Sequence, residues 1–394
     1  MSISADAAGV CLVSEVTAAD TRAIQDGLNE LWRLAGSGEV GGALVRAASL
    51  TLIVLIEDHA DPDELIPVLD ALTATYPCRA VLLTSDKDVD EPRARLASHS
   101  RRGVEGEPPR YWEEIRIVAP ARGLHQVMSS VATLALPNLP VQSWWPGRPS
   151  FDSDLYNHVV EVSDRVIVDS SRFPAPLEAL PELDAAISVA HESVAFADLS
   201  WTRLTPWRHM AAEFFDAPSR QALLDSIERV RIEYMPRTGG EACQALLVAG
   251  WLASRLGWEL RDLALKAAGS WRLQALDVVR PIEVAITRAA TSASPGGTSI
   301  APGLRGLSIE AGGTSHKASF TIECSSDGGE AHTVAEVGEA RLEGYARLPL
   351  QGDAELLQEE LGGFATDHIY QESLGAVARL LRESAGPGPG RGLE

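Results

Sequence analysis

The chain has 394 residues, 45% of them hydrophobic and 23% charged, the balance of an ordinary soluble globular protein with room for two domains. Its formal net charge of −21 argues against nucleic acid as a partner, since such a binder needs Lys and Arg to displace phosphate counterions, and equally against anionic membrane surfaces. No apolar run reaches the roughly 20 residues of a membrane span, and MSISADAAGVCLVSEV has no secretory pattern, so a cytoplasmic protein is expected.

Residues 1–39 read as an N-terminal segment ahead of an α/β domain at 40–175. SLTLIVLI at 49–56 is a nearly continuous apolar run, as expected of a strand covered on both faces. Asp61-Pro62 then opens a helix carrying Leu65, Ile66, Leu69 and Leu72, with Asp61 as its N-cap. Pro67 counts against that helix, because it would kink it or delay its start. AVLLT at 80–84 is the next buried strand. The Arg- and Glu-rich stretch 85–110 reads as a surface loop, and WEEIRIV at 112–118 as a strand whose mixed polarity suits an edge. A helix at 122–136, a strand at 139–145, a helix at 153–162 and a strand at 165–168 follow. Such alternation with short links implies parallel strands and right-handed crossovers, hence a doubly wound, mostly parallel sheet.

FPAPLEALPEL at 173–183 reads as a Pro-rich junction into a second domain at 176–382. Helices are expected at 207–215, 219–229 and 241–256, the last ended by Gly257. The period then changes to two. Ile282, Val284 and Ile286, then Ala318, Phe320 and Ile322, alternate with polar residues, and EARLEGYARL at 339–348 joins them in an antiparallel sheet with one wet face. Residues 292–313, rich in Gly, Pro and Ser, read as a loop. Helices at 354–361 and 367–381 precede a tail, 383–394, expected to be disordered. The fold class is α/β, with an α+β C-terminal domain.

The motifs of strand–turn–helix enzymes are missing. There is no GxxxxGK[ST], no GxGxxG between a strand and a helix, no GxSxG and no HExxH, and the nine histidines are scattered. No catalytic residue, cofactor site or metal site is therefore expected. Two stretches exceed background. In SWWPGRP, Trp144 and Trp145 end a parallel strand, where open α/β sheets form their binding crevices, and a stiff turn carrying Arg148 follows. DLSWTRLTPWR at 198–208 has two Trp and two Arg, with Pro206 starting a helix and Thr205 as its N-cap. Trp and Arg dominate interface energetics, yet Trp is also a core residue, so partner contact and internal packing both remain open.

LPNLPVQSWWPGRPSF, DRVIVDSSRF and DLSWTRLTPWR closely resemble the glucose-6-phosphate dehydrogenase assembly-protein family, called OpcA. ALLVAGWLASRLGW (245–258) and ELLQEELGGFATDHIYQESL (355–374) continue the resemblance, in order, over most of the chain. It implies a non-catalytic regulatory subunit that binds glucose-6-phosphate dehydrogenase, the NADP-dependent entry enzyme of the oxidative pentose phosphate pathway. Such a subunit promotes the active oligomer and raises its activity. The family has no catalytic residues to carry over, so the contact candidates are Trp144, Trp145, Arg148, Trp201, Arg203, Trp207 and Arg208. Some members are linked to thioredoxin-dependent control. Here Cys11, Cys78, Cys243 and Cys324 offer no pair close in sequence, which counts against a thiol switch. The rival reading is a small-molecule binding protein or enzyme that takes a sugar phosphate or nucleotide in the α/β crevice.

Overall fold

A computed structural model describes residues 2–6, 9–16, 20–37, 48–57, 62–86, 88–101, 110–120, 127, 131–236, 242–266, 270–277, 280–289, 303–312, 317–363 and 365–385. The chain divides into two compact units. Met1–Asp169, Ala190–Ala197 and Gly352–Thr366 make the first; Ser170–Val189, Asp198–Gln351 and Asp367–Glu394 make the second.

The first unit is built on a nine-stranded sheet in the order β1-β2-β5-β6-β4-β3-β7-β8-β9. Its strands are β1 (Ser2–Asp6), β2 (Gly9–Val16), β3 (Leu50–Ile56), β4 (Cys78–Ser85), β5 (Arg93–Arg101), β6 (Arg110–Ala119), β7 (Val141–Trp144), β8 (Arg165–Val168) and β9 (Ala195–Asp198). The neighbours β6-β4-β3-β7-β8 are mutually parallel, and β1, β2 and β5 join antiparallel. All seven residues of β3 are buried, as its unbroken apolar run demands.

Three expectations are corrected here. The N-terminal segment 1–39 is part of this unit: β1 and β2 extend the sheet, and the helix Thr21–Ser37 turns Ile24, Leu28 and Leu31 inward at helical spacing. The charged stretch 85–110 contains β5, with Ala94, Leu96 and Ser98 buried on one face and Ala97 on the other. Strand β6 lies between β5 and β4 rather than at an edge. Its polar residues are tolerated because they are paired. Arg79 meets Glu113 at 2.6 Å, His99 meets Glu114 at 2.7 Å and Arg116 meets Glu114 at 2.8 Å, while His99 stacks on Trp112 at 4.1 Å. Burial alone would raise the Glu114 carboxyl, but His99 and Arg116 hold it below its ordinary value.

Pro67 does delay its helix. Pro62–Leu65 forms a 3-10 turn and the α-helix Ile66–Thr73 begins after it, with Pro67 in the first turn, where the missing N–H costs nothing. Asp61 lies outside the described residues. Of the helix expected at 122–136, Val127 and residues 131–134 are helical and the remainder up to 130 lies outside the described residues. The helix Asp353–Leu361 belongs to this unit despite its distance along the chain. Gln358 Nε2 donates to Ala71 O at 3.1 Å, Gln142 Nε2 to Leu361 O at 3.2 Å, and Arg165 pairs with Glu360 while donating to Gly363 O at 3.0 Å.

The second unit holds an eight-stranded sheet in the order β11-β12-β13-β10-β14-β15-β16-β17. These are β10 (Ile227–Met235), β11 (Glu259–Lys266), β12 (Ser270–Leu276), β13 (Pro281–Arg288), β14 (Gly303–Ala311), β15 (Ala318–Cys324), β16 (Glu330–Val337) and β17 (Ala340–Arg347). Only the β10–β13 pair is parallel among the described pairings. The helix Ala242–Leu256 is buried along most of its length and ends at Gly257, whose φ of +69° is the left-handed C′ conformation expected of it. At Gly250 it runs against the helix His368–Ser384, so closely that a Cβ would lie 2.2 Å from Ser373 O.

Three further expectations fall here. The helix at 219–229 is a single turn, Pro218–Gln221, after which β10 begins at Ile227. The loop at 292–313 contains β14, with Leu304, Leu307 and Ile309 buried; residues 290–302 lie outside the described residues. The Pro-rich junction is the helix Pro176–Val189. Pro176 takes its first position, Pro181 is accommodated inside, and Leu180 and Leu183 are buried. Of the tail 383–394, residues 386–394 lie outside the described residues.

Candidate functional site

The chain leaves β3 for β4 on one side, while β7 flanks β3 on the other. The carboxyl ends of β3 and β7 therefore mark the topological switch point, where open α/β sheets place their ligands. Trp144 ends β7 and Trp145 follows, its backbone N–H extending the ladder to Ile167 O at 2.9 Å. The Trp145 indole Nε1 donates to Glu57 Oε1 at 2.9 Å, and Glu57 is the first residue after β3. Ser150 Oγ donates to Glu57 Oε2 at 2.6 Å, so one carboxylate ties both ends of the Pro146–Pro149 turn. Tyr156 packs 5.6 Å from Trp145 and 5.3 Å from Phe151, and burial pushes its phenol well above its ordinary value. The corner is filled by the protein's own indole.

Glu57 was not among the residues expected to matter. Its signal was its place, a carboxylate directly after the most apolar strand. Glu57→Ala leaves the Trp145 indole and Ser150 without their acceptor and is expected to cost about 1–3 kcal/mol. Urea denaturation followed by tryptophan fluorescence measures it. An unchanged midpoint would mean that the carboxylate does not hold the turn.

The second stretch builds a network in the other unit. Trp201 lies in the helix Leu199–Arg203, and its indole Nε1 donates to Asp367 Oδ2 at 2.7 Å. Asp367 also caps the helix His368–Ser384, accepting from Tyr370 N at 2.9 Å. Tyr370 in turn donates its hydroxyl to Asp198 Oδ2 at 3.2 Å, and Asp198 Oδ1 accepts from the backbone N–H groups of Ser170 and Ser200 at 3.0 and 2.9 Å. The Tyr370 phenol is pushed well above its ordinary value, first by burial and then by Asp198. Above this network the Arg208 guanidinium lies 3.6 Å from the Trp201 ring centroid and donates to Thr205 Oγ1 at 2.9 Å. Arg203 donates to Ser171 Oγ at 3.2 Å.

Trp144, Trp145 and Arg148 thus follow one another at the end of β7 and in its turn, and Trp201, Arg203 and Arg208 lie together in the other unit. The four indoles expected to offer contact area are only 0%, 1%, 4% and 5% exposed, for Trp144, Trp145, Trp201 and Trp207 in that order. Internal packing accounts for their apolar area. Arg148, Arg203 and Arg208 reach the surface in part. The Thr205 cap is also corrected. The helix Thr205–Glu213 begins at that residue, and its N-cap position falls on Leu204, which makes no side-chain cap bond.

Cys78 and Cys243 are buried and Cys324 is half-buried; the Cys11 side chain lies outside the described residues. Burial pushes the Cys78 thiol up to about 12. The Cys324 thiol is also raised, chiefly by burial, with Arg305 opposing. Among the described residues no cluster of three or more His, Cys, Asp or Glu is placed to hold a metal ion, and no helix is long and apolar enough to cross a membrane.

Two family models match this chain. One, described as the glucose-6-phosphate dehydrogenase subunit N-terminal domain, covers residues 69–185, and the other, the C-terminal domain of the same subunit, covers 194–374. The chain is 27% identical over 322 residues to a protein of Synechocystis sp. named OpcA and assigned, provisionally, to the OxPP cycle, matching 80% of this chain and 66% of that one. A Nostoc punctiforme protein of the same name is 27% identical over 326 residues, again 80% of this chain and 67% of the relative. The chain thus spans about two thirds of these relatives' length. Among solved structures, a Gfo/Idh/MocA family oxidoreductase from Vibrio cholerae is 12% identical at a TM-score of 0.42, covering 86% of this chain and 99% of that one.

Proposed function

The chain belongs to the OpcA family of glucose-6-phosphate dehydrogenase subunits, and we propose that it is a non-catalytic assembly factor and allosteric activator of that dehydrogenase in the oxidative pentose phosphate pathway. The observation that carries this reading is the pair of family matches, both described as parts of a dehydrogenase subunit and together reaching from residue 69 to 374. The filled switch point supports it. Where an enzyme of this topology opens a crevice, Trp145 is buried against Glu57, and the turn tied to that carboxylate carries the half-exposed Arg148. Activation follows if this surface binds the dehydrogenase's active conformation or oligomer better than its inactive one. A coupling of about 1–3 kcal/mol changes substrate affinity roughly 5- to 150-fold.

The surface part of the proposal rests on Arg148, Arg203 and Arg208, with Trp144, Trp145, Trp201 and Trp207 as the buried support beneath them. The test is a glucose 6-phosphate saturation curve of the cognate dehydrogenase with and without this chain, with size-exclusion chromatography alongside. Co-elution with a lowered KM or a raised kcat is expected. Arg148→Glu and Arg208→Glu are expected to weaken activation about tenfold or more while circular dichroism stays unchanged, since a reversed charge at a docked surface meets like charge. The absence of both co-elution and any kinetic change removes the proposal, and titration with sugar phosphates and NADP(H) becomes the next experiment. Thioredoxin-dependent control finds no support in the described thiols, whose burial disfavours the thiolate.

A further inference from the structure

The sheet of the second unit has two unlike faces. Val230, Ile232, Val284, Ile286, Leu307 and Ile309 line one of them and are buried. The side chains alternating to the opposite side are mostly charged or small, and most of them are open to solvent. Arg229 on β10 registers with Glu283 on β13 and Glu310 on β14; Arg231, two residues on, registers with Ala285 and Ser308. The charges are already paired within the face. Arg229 bonds Glu283 at 3.3 Å and also Glu310, Arg231 meets Glu310 at 3.3 Å, and Arg272 meets Glu283 at 3.1 Å.

The face is also lopsided. Its β11–β10 half carries Arg229, Arg231, Arg261 and Arg272 against Glu233, Glu259 and Glu283. Its β14–β17 half carries Glu310, Glu323, Glu330, Glu336 and Glu343, offset only in part by Arg341 and Arg347. On the second half Tyr345, 76% exposed, stacks on His332 at 4.7 Å and adds apolar area.

We propose that this open sheet face docks a second copy of this chain, about a two-fold axis running along the strands between β10 and β14. Such an axis lays β13 of one copy over β15 of the other, and β12 over β16, so the arginine-bearing half of each meets the glutamate-bearing half of its partner. The contact is isologous and closes after two copies. Its extent is right. Eight strands of 7 to 9 residues span roughly 34 by 25 Å at the usual strand spacing and rise, about 800 Å² per copy, which is the share each partner gives to a stable interface. Its charge is right as well. The whole chain carries −21 and repels its like, but around β10 and β14 arginines and glutamates alternate and are pre-paired, so that removing them from water costs less than burying lone charges. This inference stands apart from the activator reading and does not need it.

The test is sedimentation equilibrium of the full chain across a concentration series. The expected result is a reversible species of twice the 42.1 kDa chain mass. Arg272→Glu and Glu343→Arg, each on an exposed side chain, are expected to raise the dimer dissociation constant about tenfold, and the double reversal to restore it, because opposite charges then face each other again. Circular dichroism of each variant separates this from misfolding, and the rescue by the double variant separates it again. A monomer at every concentration overturns the proposal, as does a dimer indifferent to both single reversals. If the chain alone is a monomer but the reversals abolish co-elution with the dehydrogenase, the second copy is ruled out and the face belongs to that enzyme.

Discussion

Trp201→Ala is expected to lower the unfolding free energy by about 3–5 kcal/mol, the cost of deleting a buried tryptophan from a packed site. The indole is 4% exposed, lies under the Arg208 guanidinium and packs 5.7 Å from Tyr370. Its loss also strips a donor from Asp367, the residue that caps the helix His368–Ser384. Trp201→Phe keeps a ring beneath Arg208 and loses only the N–H, so it is expected to cost about 1–3 kcal/mol. Chemical denaturation of both variants separates the two contributions. Equal losses would show that the hydrogen bond to Asp367 carries the site and the ring's packing does not.

Gly250→Ala is expected to destabilise the second unit, against the general preference of helices for alanine. That preference is worth about 1 kcal/mol in favour of the variant. The new methyl carbon, however, would sit 2.2 Å from Ser373 O and 2.6 Å from Val377 Cγ2. A backbone carbonyl in the facing helix cannot swing aside, so the two helices must part along their length. Overpacking of this kind costs about 1–3 kcal/mol and occasionally more. Thermal unfolding of the variant reads the balance, and a raised midpoint would show that the helices have room to spare.

What was legible in the sequence follows a physical line. β3 and β4 could be read because parallel strands covered on both faces must be apolar throughout, and the helices near 66–73, 154–162 and 353–361 because one buried stripe imposes a 3.6-residue period. Strands built from other chemistry escaped. β5 alternates with alanine, serine and arginine, which carry little strand signal. β10 begins Ile227, Val230, whose three-residue spacing fits a helix until the bulge near Glu228 is known. β6 looked like an edge because polarity was taken for exposure, whereas Glu113 and Glu114 are buried and paired with Arg79 and His99 on the flanking strands, and Arg116 is buried and paired with Glu114 and Asp63.

The candidate site was half legible. The place of Trp144 and Trp145 at a strand end could be read from an apolar run meeting Pro-Gly. Their burial could not, because cores and interfaces draw on the same aromatic residues. Glu57 stayed hidden because its partners are 88 and 93 residues away. Asp367 did too, since its bond to Trp201 spans 166 residues.

The placement of the helix Asp353–Leu361 in the first unit bears on the order of events during synthesis. Arg165, Gln142 and the carbonyl of Ala71 all await partners between residues 358 and 365, and the bond from Gln358 bridges 287 residues. A ribosome adding about 5–20 residues per second makes the early strands wait some tens of seconds for that helix. Through that interval the first sheet exists without one of its covers, and it cannot close as the nascent chain emerges. Completion is deferred until residue 365 has emerged, which gives chaperones that hold unfinished chains a longer claim on this unit than its early strands alone would suggest.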